Sequence, residues 1–276
     1  MLNEPRTYRH SPFQLVLLFL IFGVLAVGLF VTWDGDYTLM LPIAAIFGLV
    51  FVFSLYSLTI KTTISDDEIS TQSILGTKSL KWTEINRVSG RGHAIKLHNM
   101  DGDVTVAPSP QLAGYAEVVE WIGGKRPDLF SPQEYSEMTK NWYGYILLAV
   151  VALFIMGIGF FFATQSSEGF VPLIFFLIIA AFIAYVTFSL PKSLNLEGNT
   201  LFIRYFFNEK SLRANEITAV SLNYTQTRNG KNYFVRIDLK DKKYIRISGV
   251  GPNLPIVFLV LRNWHRKHAM IGQTIR

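Results

Sequence analysis

Lys78-Ser79-Leu80-Lys81-Trp82-Thr83-Glu84-Ile85-Asn86-Arg87-Val88 has a counterpart further along the chain, Lys210-Ser211-Leu212-Arg213-Ala214-Asn215-Glu216-Ile217-Thr218-Ala219-Val220, displaced by 132 residues. Lys, Ser, Leu, Glu, Ile and Val recur in register. The same offset holds upstream, in apolar sequence, at Phe22/Phe154, Phe30/Phe162, Thr32/Thr164, Ser57/Ser189 and Leu58/Leu190. A register that crosses from apolar into polar sequence means that one composite unit was duplicated whole.

Each copy begins with two apolar runs, Phe13–Trp33 and Leu39–Ile60 in the first, Trp142–Thr164 and Phe170–Leu190 in the second. None contains Asp, Glu, Lys or Arg between its ends. At 1.5 Å per residue a run of about 21 residues covers roughly 32 Å, the thickness of a bilayer's hydrocarbon core. All four are therefore expected to span a membrane as helices, because lipid leaves backbone amides no partner but each other. The first run is too long for a signal peptide and ends in Val31-Thr32-Trp33-Asp34, with no small-residue cleavage site.

Lys and Arg fix the expected orientation. The short loops Asp34–Thr38 and Gln165–Gly169 carry none, whereas the N-terminal arm has two, residues 61–141 nine and residues 191–276 fifteen, the full 26. Both termini and both polar segments are thus expected on the cytoplasmic side of a cell inner membrane, with Trp33, Tyr37, Tyr56, Trp142 and Tyr143 as interfacial anchors. Pro42 and Pro172 fit the first turn of each second helix. Ala44-x-x-x-Gly48 and Ala180-x-x-x-Ala184 offer small-residue faces for close helix contact. Ionisable side chains inside spans mark transport pathways, and these runs have none, which argues against a transporter or channel.

The polar segment of copy one reads as short strands at Thr62–Ser65, Glu68–Ile74, Ser79–Trp82, Arg87–Val88, Ala94–His98 and Val104–Val106. Asn99–Asp103 is a hairpin signal, matched by Asp241-Lys242, and copy two has a longer loop at about Asn223–Asn232. A closing helix starts at Ser109-Pro110, carries the stripe Leu112, Tyr115, Val118, Val119 and Ile122, and stops at Gly123-Gly124. Its counterpart runs from Asn253 and Pro255 to about His268. The segment boundaries are 1–12 for the arm, 13–60 for hairpin one, 61–128 for the first polar domain, 129–141 for a linker, 142–190 for hairpin two and 191–276 for the second polar domain.

Ile64-Ser65-Asp66-Asp67-Glu68-Ile69 followed by Gly76-x-Lys78-x-Leu80-x-Trp82-x-Glu84-Ile85-x-x-Val88 resembles the bacterial pleckstrin-homology-like domains, which often follow paired membrane helices. The second copy keeps Lys210, Leu212, Glu216, Ile217 and Val220 but has Ala214 in place of the tryptophan. The resemblance implies an integral membrane α plus β protein: four transmembrane helices in two hairpins and two small seven-strand β-barrels, each capped by a C-terminal helix. Such barrels serve mainly as binding platforms, so the resemblance implies little about activity.

No catalytic, cofactor or metal constellation emerges. His265 and His268 share a helix face but sit among cations and lack a nearby carboxylate. Gly249-Val-Gly251-Pro is not a dinucleotide fingerprint, and Asp66-Asp67-Glu68 is replaced by Gly198-Asn199-Thr200 in copy two. The chain reads as a non-enzyme with no metal or cofactor, and without cysteine it has no disulfides.

Charge distinguishes the copies. Residues 61–141 hold nine basic and eleven acidic side chains, residues 191–276 fifteen and five. The candidate binding residues are Arg228, Lys231, Lys240, Lys242, Lys243, Arg246, Arg262, Arg266 and Lys267, with Arg236 among them in sequence. Two readings stand: a membrane-anchored adaptor, accessory subunit or assembly factor engaging a protein partner or larger complex, or a sensor of anionic lipid headgroups. Topology alone also accounts for the excess. Nucleic acid is not expected as a partner, since no paired aromatic platform accompanies the cations. Ile256-Val-Phe-Leu-Val-Leu261 is apolar at six consecutive positions, more than one helix face needs, so the helix either touches something besides its own sheets (the other domain, a twin protomer or the bilayer surface) or is the core helix of a tight fold.

Overall fold

The computed structural model describes residues 4–31, 37–140, 143–165, 170–227 and 230–271. The chain divides into two compact units, Met1–Ser89 with Ala94–Arg126, and Gly90–His93 with Pro127–Arg276.

In the first unit the elements are β1 (Arg6–Arg9), α1 (Pro12–Val31), α2 (Tyr37–Thr59), β2 (Lys61–Ile64), β3 (Glu68–Ser73), β4 (Gly76–Lys81), β5 (Arg87–Arg91), β6 (Ala94–His98), β7 (Thr105–Val106) and α3 (Tyr115–Lys125). One antiparallel sheet has the order β1-β2-β3-β4, the other β5-β6-β7. The strand β1 belongs to the segment read as an arm. It pairs with β2 from Arg6↔Ile64 to Arg9↔Lys61, so the helical pair α1–α2 is an insertion between two adjacent strands. Tyr8 buries its ring against Gly114, whose φ of 81° opens the way into α3. This moves the start of α3 five residues past Ser109-Pro110: Ser109–Leu112 closes a turn, and the Ala113 amide donates to the Arg9 carbonyl before the helix begins. Nor do Gly123-Gly124 end it, since α3 continues to Lys125. Leu112, Tyr115, Val118, Val119 and Ile122 are all buried, together with Ile64, Ile69, Leu80, Ile95 and Leu97 of the sheets.

The second unit repeats this plan with β8 (Glu137–Thr139), α4 (Tyr143–Gln165), α5 (Phe170–Phe188), β9 (Ser193–Glu197), β10 (Thr200–Arg204), β11 (Glu209–Arg213), β12 (Ile217–Thr227), β13 (Gly230–Leu239), β14 (Tyr244–Ile247) and α6 (Leu254–Ile271). Its sheets have the orders β11-β10-β9-β8 and β12-β13-β14. The residues read as a linker supply β8, which pairs with β9 through Thr139↔Ser193 and again brackets a helical pair. The expected loop at Asn223–Asn232 is mostly strand, because β12 and β13 stay paired out to Thr227↔Gly230.

One expectation needs correction. The four sheets are open, none closed into a barrel: each unit has seven strands in a set of four and a set of three, with no ladder joining the sets among the described residues. The edge strands β7 and β8 are two and three residues long, too short to bridge a seam. Among the described residues three helices are long and apolar enough to cross a membrane, Pro12–Val31, Met40–Thr59 and Ile146–Thr164, and a fourth apolar stretch, Leu173–Phe188 in α5, is shorter. Of the anchors, Trp33 and Trp142 lie outside the described residues.

The small-residue faces behave differently. In the α4–α5 pair, a Cβ on Gly159 would come within 2.7 Å of Phe176 Cβ, so glycine permits that approach, and Ala180 is buried nearby in sequence on α5. In the α1–α2 pair nothing lies within 4 Å of a Cβ on Gly48, and Ala44 and Gly48 border an apolar hollow of about 570 Å³.

The run Ile256–Leu261 is wholly buried inside its own unit. Its helix is covered by the sheet strands β12 and β13 and by the turn Pro127–Phe130. Asn263 Nδ2 ties that turn down by donating to the carbonyls of Pro127 and Phe130 at 3.3 and 3.2 Å. A helix covered on two sides has no need of a polar face there.

Candidate binding surfaces of the second unit

The strand registers give this unit two distinguishable ends. Chain leaving α5 enters β9 at Ser193, which pairs with Arg204, which pairs with Glu209; Thr139 lies opposite Ser193 on the other side. These residues mark the end at which α5 joins. The opposite end is marked by Glu197, Thr200 and Arg213. Five-residue strands separate the two by about 13 Å at 3.3 Å per residue.

Hydrogen bonds assign further groups to the far end. The Lys240 amide donates to the Glu216 carbonyl at 3.0 Å, just beyond β11. Trp264 Nε1 donates to the Gly198 carbonyl at 2.9 Å, and His265 Nε2 to the Ile217 carbonyl at 3.1 Å. The turn between β13 and β14 and the C-terminal half of α6 therefore both lie away from α5. By contrast, the Gly251 amide bonds to Thr139 at 3.2 Å, so the chain entering α6 starts at the near end.

The predicted cations fall into separate groups. Lys240, Lys242 and Lys243 are exposed together on the far-end turn. Lys242 holds a left-handed φ of 65°, and Lys243 pairs with Asp241 at 3.4 Å. Beside this turn is a hollow of about 560 Å³ lined by Arg213, Asn215, Glu216, Lys240 and Asp241 among others. Arg266 and Lys267 are exposed on the far half of α6, while Arg262 is half-buried with its guanidinium 5.8 Å from the Phe258 ring. Arg246 stands on the outer face of β12-β13-β14, directly opposite Arg236. The two cross over: Arg246 stacks 4.1 Å from the Phe234 ring and Arg236 4.6 Å from Tyr244, with Arg236 also paired to Asp238 at 2.7 Å. Flat guanidinium groups on ring faces are held in place rather than left to sweep solvent. Lys231 is set apart near the β12–β13 tip, over the Tyr224 ring at 5.1 Å, where burial lowers its pKa. Arg228 lies outside the described residues.

Sequence reasoning missed the cations of the near end. Lys192, Arg204 and Lys210 are exposed there, and Lys140, half-buried, has its pKa lowered by desolvation. It also missed the aromatic group beside them. Phe188, in the last turn of α5, lies 4.7 Å from Phe206 and 5.5 Å from Phe207, and those two are 5.2 Å apart. The identity Lys78/Lys210 was the available signal.

The two histidines of α6 each bond to a backbone carbonyl, His265 to Ile217 and His268 Nδ1 to Trp264 at 2.9 Å. Both rings serve the fold. Among the described residues no group of three His, Cys, Asp or Glu is placed to hold a metal. What the far end offers is a positively charged, partly preorganised surface suited to carboxylates or phosphates.

No known protein family matches the chain, and no curated protein matches it either.

Proposed function

We propose that this protein is a non-catalytic, multi-pass inner-membrane adaptor, with both pleckstrin-homology-like heads and both termini on the cytoplasmic side and the shorter apolar helix also crossing the bilayer. Its second head presents the far-end cations, Lys240, Lys242, Lys243, Arg266 and Lys267, to an acidic protein partner or a larger membrane complex. The reading that each head is pleckstrin-homology-like draws support from its seven strands, split four and three, and its closing helix.

One observation favours a protein over lipid as the target. These cations cluster at the end of the sheet opposite the entry of α5, about 13 Å along the strands. The Debye length at physiological ionic strength is about 8 Å, so headgroup charge at the α5 end is largely screened there. A soluble acidic surface approaching from the cytoplasm meets no such handicap.

The test uses the full chain, gently extracted from native membranes with whatever accompanies it. A stoichiometric companion that is lost when Lys240, Lys242, Lys243, Arg266 and Lys267 are all changed to Gln supports the adaptor. Undiminished recovery of every companion in that variant overturns the assigned surface.

A further inference from the structure

Seven large apolar side chains outside α1, α2, α4 and α5 are exposed among the described residues, and four of them occupy just two turns. Ile74 and Leu75 join β3 to β4 and are 70% and 84% exposed; Phe206 and Phe207 join β10 to β11 and are 52% and 80% exposed. The two turns are the same turn, 132 residues apart. Ser73 pairs with Gly76 across the first, and the Tyr205 amide donates to Asn208 at 2.8 Å across the second. The middle of a tight turn ordinarily takes Gly, Asn, Asp or Pro. Two bulky apolar residues in both copies break that rule while staying at least half exposed, as functional sites do.

Position supplies the reason. In the first unit Lys61, the second residue after α2, lies opposite Gln72, so Ile74 and Leu75 project beyond it on the side from which α2 arrives. In the second, Ser193 lies opposite Arg204, and Phe206 and Phe207 project beyond it onto Phe188 in the last turn of α5. Each turn is therefore level with the end of an apolar helix. Three residues behind each tip stands an exposed lysine, Lys78 and Lys210, and at the helix exits Lys61 and Lys192 are exposed as well. An apolar tip with a collar of lysines matches the layering of a bilayer surface, acyl chains below and anionic phosphates above.

We propose that Ile74-Leu75 and Phe206-Phe207 are membrane wedges, each dipping into the interfacial layer of the same bilayer that holds its helical pair, with Lys78 and Lys210 at phosphate level. The occupant of these tips is lipid. The wedges hold each head against the membrane surface whatever the identity of its protein partner, so this inference stands or falls apart from the adaptor reading.

The chain has no cysteine, which allows single thiols to be introduced cleanly. Leu75→Cys and Phe207→Cys, with Ile74→Cys and Phe206→Cys as second choices at each tip, are labelled with the environment-sensitive dye NBD in the full-length protein. The controls are Thr83→Cys and Asn215→Cys, equivalent exposed positions at the other end of the strands. All are reconstituted in phosphatidylcholine–phosphatidylglycerol vesicles. Tip labels are expected to shift to the blue and lose fluorescence to lipids spin-labelled near the headgroup, while Thr83→Cys and Asn215→Cys report water. Tip emission equal to the controls overturns the proposal. A blue shift without quenching by spin-labelled lipid overturns it too, because the tips are then covered by protein.

Discussion

Trp264 and Lys125 occupy the same post in the two units: each closing helix sends one donor to the carbonyl of the turn after its first head strand, Trp264 Nε1 to Gly198 at 2.9 Å and Lys125 Nζ to Asp66 at 3.0 Å. The neighbouring residues match too, with Arg126 donating to Ile85 and His265 to Ile217, carbonyls at equivalent repeat positions. Ala214 stands where copy one has Trp82, whose indole bonds to Ser65 in that same turn. The second copy keeps an indole on the turn by supplying it from α6. Trp264→Phe is expected to lower stability by roughly 2 kcal/mol, through a lost hydrogen bond and lost ring volume. Guanidinium unfolding followed by near-ultraviolet circular dichroism in detergent measures it; a change within error refutes the role.

Lys242 separates stability from binding. Its left-handed backbone costs a side-chain-bearing residue about 1 kcal/mol that glycine avoids. Lys242→Gly is expected to raise stability by about 0.5 kcal/mol, after glycine's larger unfolded-state entropy is set against the relief. The same change should weaken capture of an acidic companion. A variant both less stable and equally competent in capture contradicts both halves.

His98 gives the first head a defined pH response. Its ring lies between Ser89 Oγ at 2.7 Å and Thr105 Oγ1 at 3.1 Å, joining three strands. Burial lowers its pKa below the ordinary 6.5, helped by the charges of Arg87 and Lys96. The folded state thus binds fewer protons than the unfolded state just below that value, and stability is lost as pH falls through 6.5 toward the depressed folded pKa. Denaturation midpoints at about pH 7.5 and about pH 5.5 should differ less in His98→Gln than in the parent, the window set by the ordinary histidine pKa. Equal pH dependence in the two proteins would remove His98 from the account.

Gly251 is tightly enclosed in the second unit. Its φ is 82°, a Cβ there would collide with Val257 Cγ2, and Met138 stands 3.5 Å away. Gly251→Ala should cost about 3 kcal/mol, from the left-handed backbone and an overpacked contact. Adding Val257→Ala should recover the contact part only. Recovery to the parent's stability would show that backbone strain contributes nothing.

Much of the plan was legible because it is local. Apolar runs without charge gave the helical pairs, and turn residues at a constant offset gave β3, β4 and their counterparts. The strands β1 and β8 were not legible: Arg6–Arg9 and Glu137–Thr139 are short, and they are strands only because β2 and β9 lie beside them after a long apolar excursion. The same limit hid the site. Lys210 and Lys240 look alike in a tally of charge, yet pairing puts one by Phe207 and the other by Glu216, at opposite ends of the unit. Ile74 reads as the last residue of the expected strand Glu68–Ile74, but β3 ends at Ser73 and leaves Ile74 in the turn.

Because α1–α2 interrupts the β1–β2 ladder, and α4–α5 the β8–β9 ladder, each head is stitched to its helices by two strands lying side by side. A head fastened at two adjacent points cannot swivel as it would on a single flexible leash. Turning or tilting such a helical pair must turn the sheet joined to it, so a neighbour that squeezes the helices would be felt at the head as a change of aim.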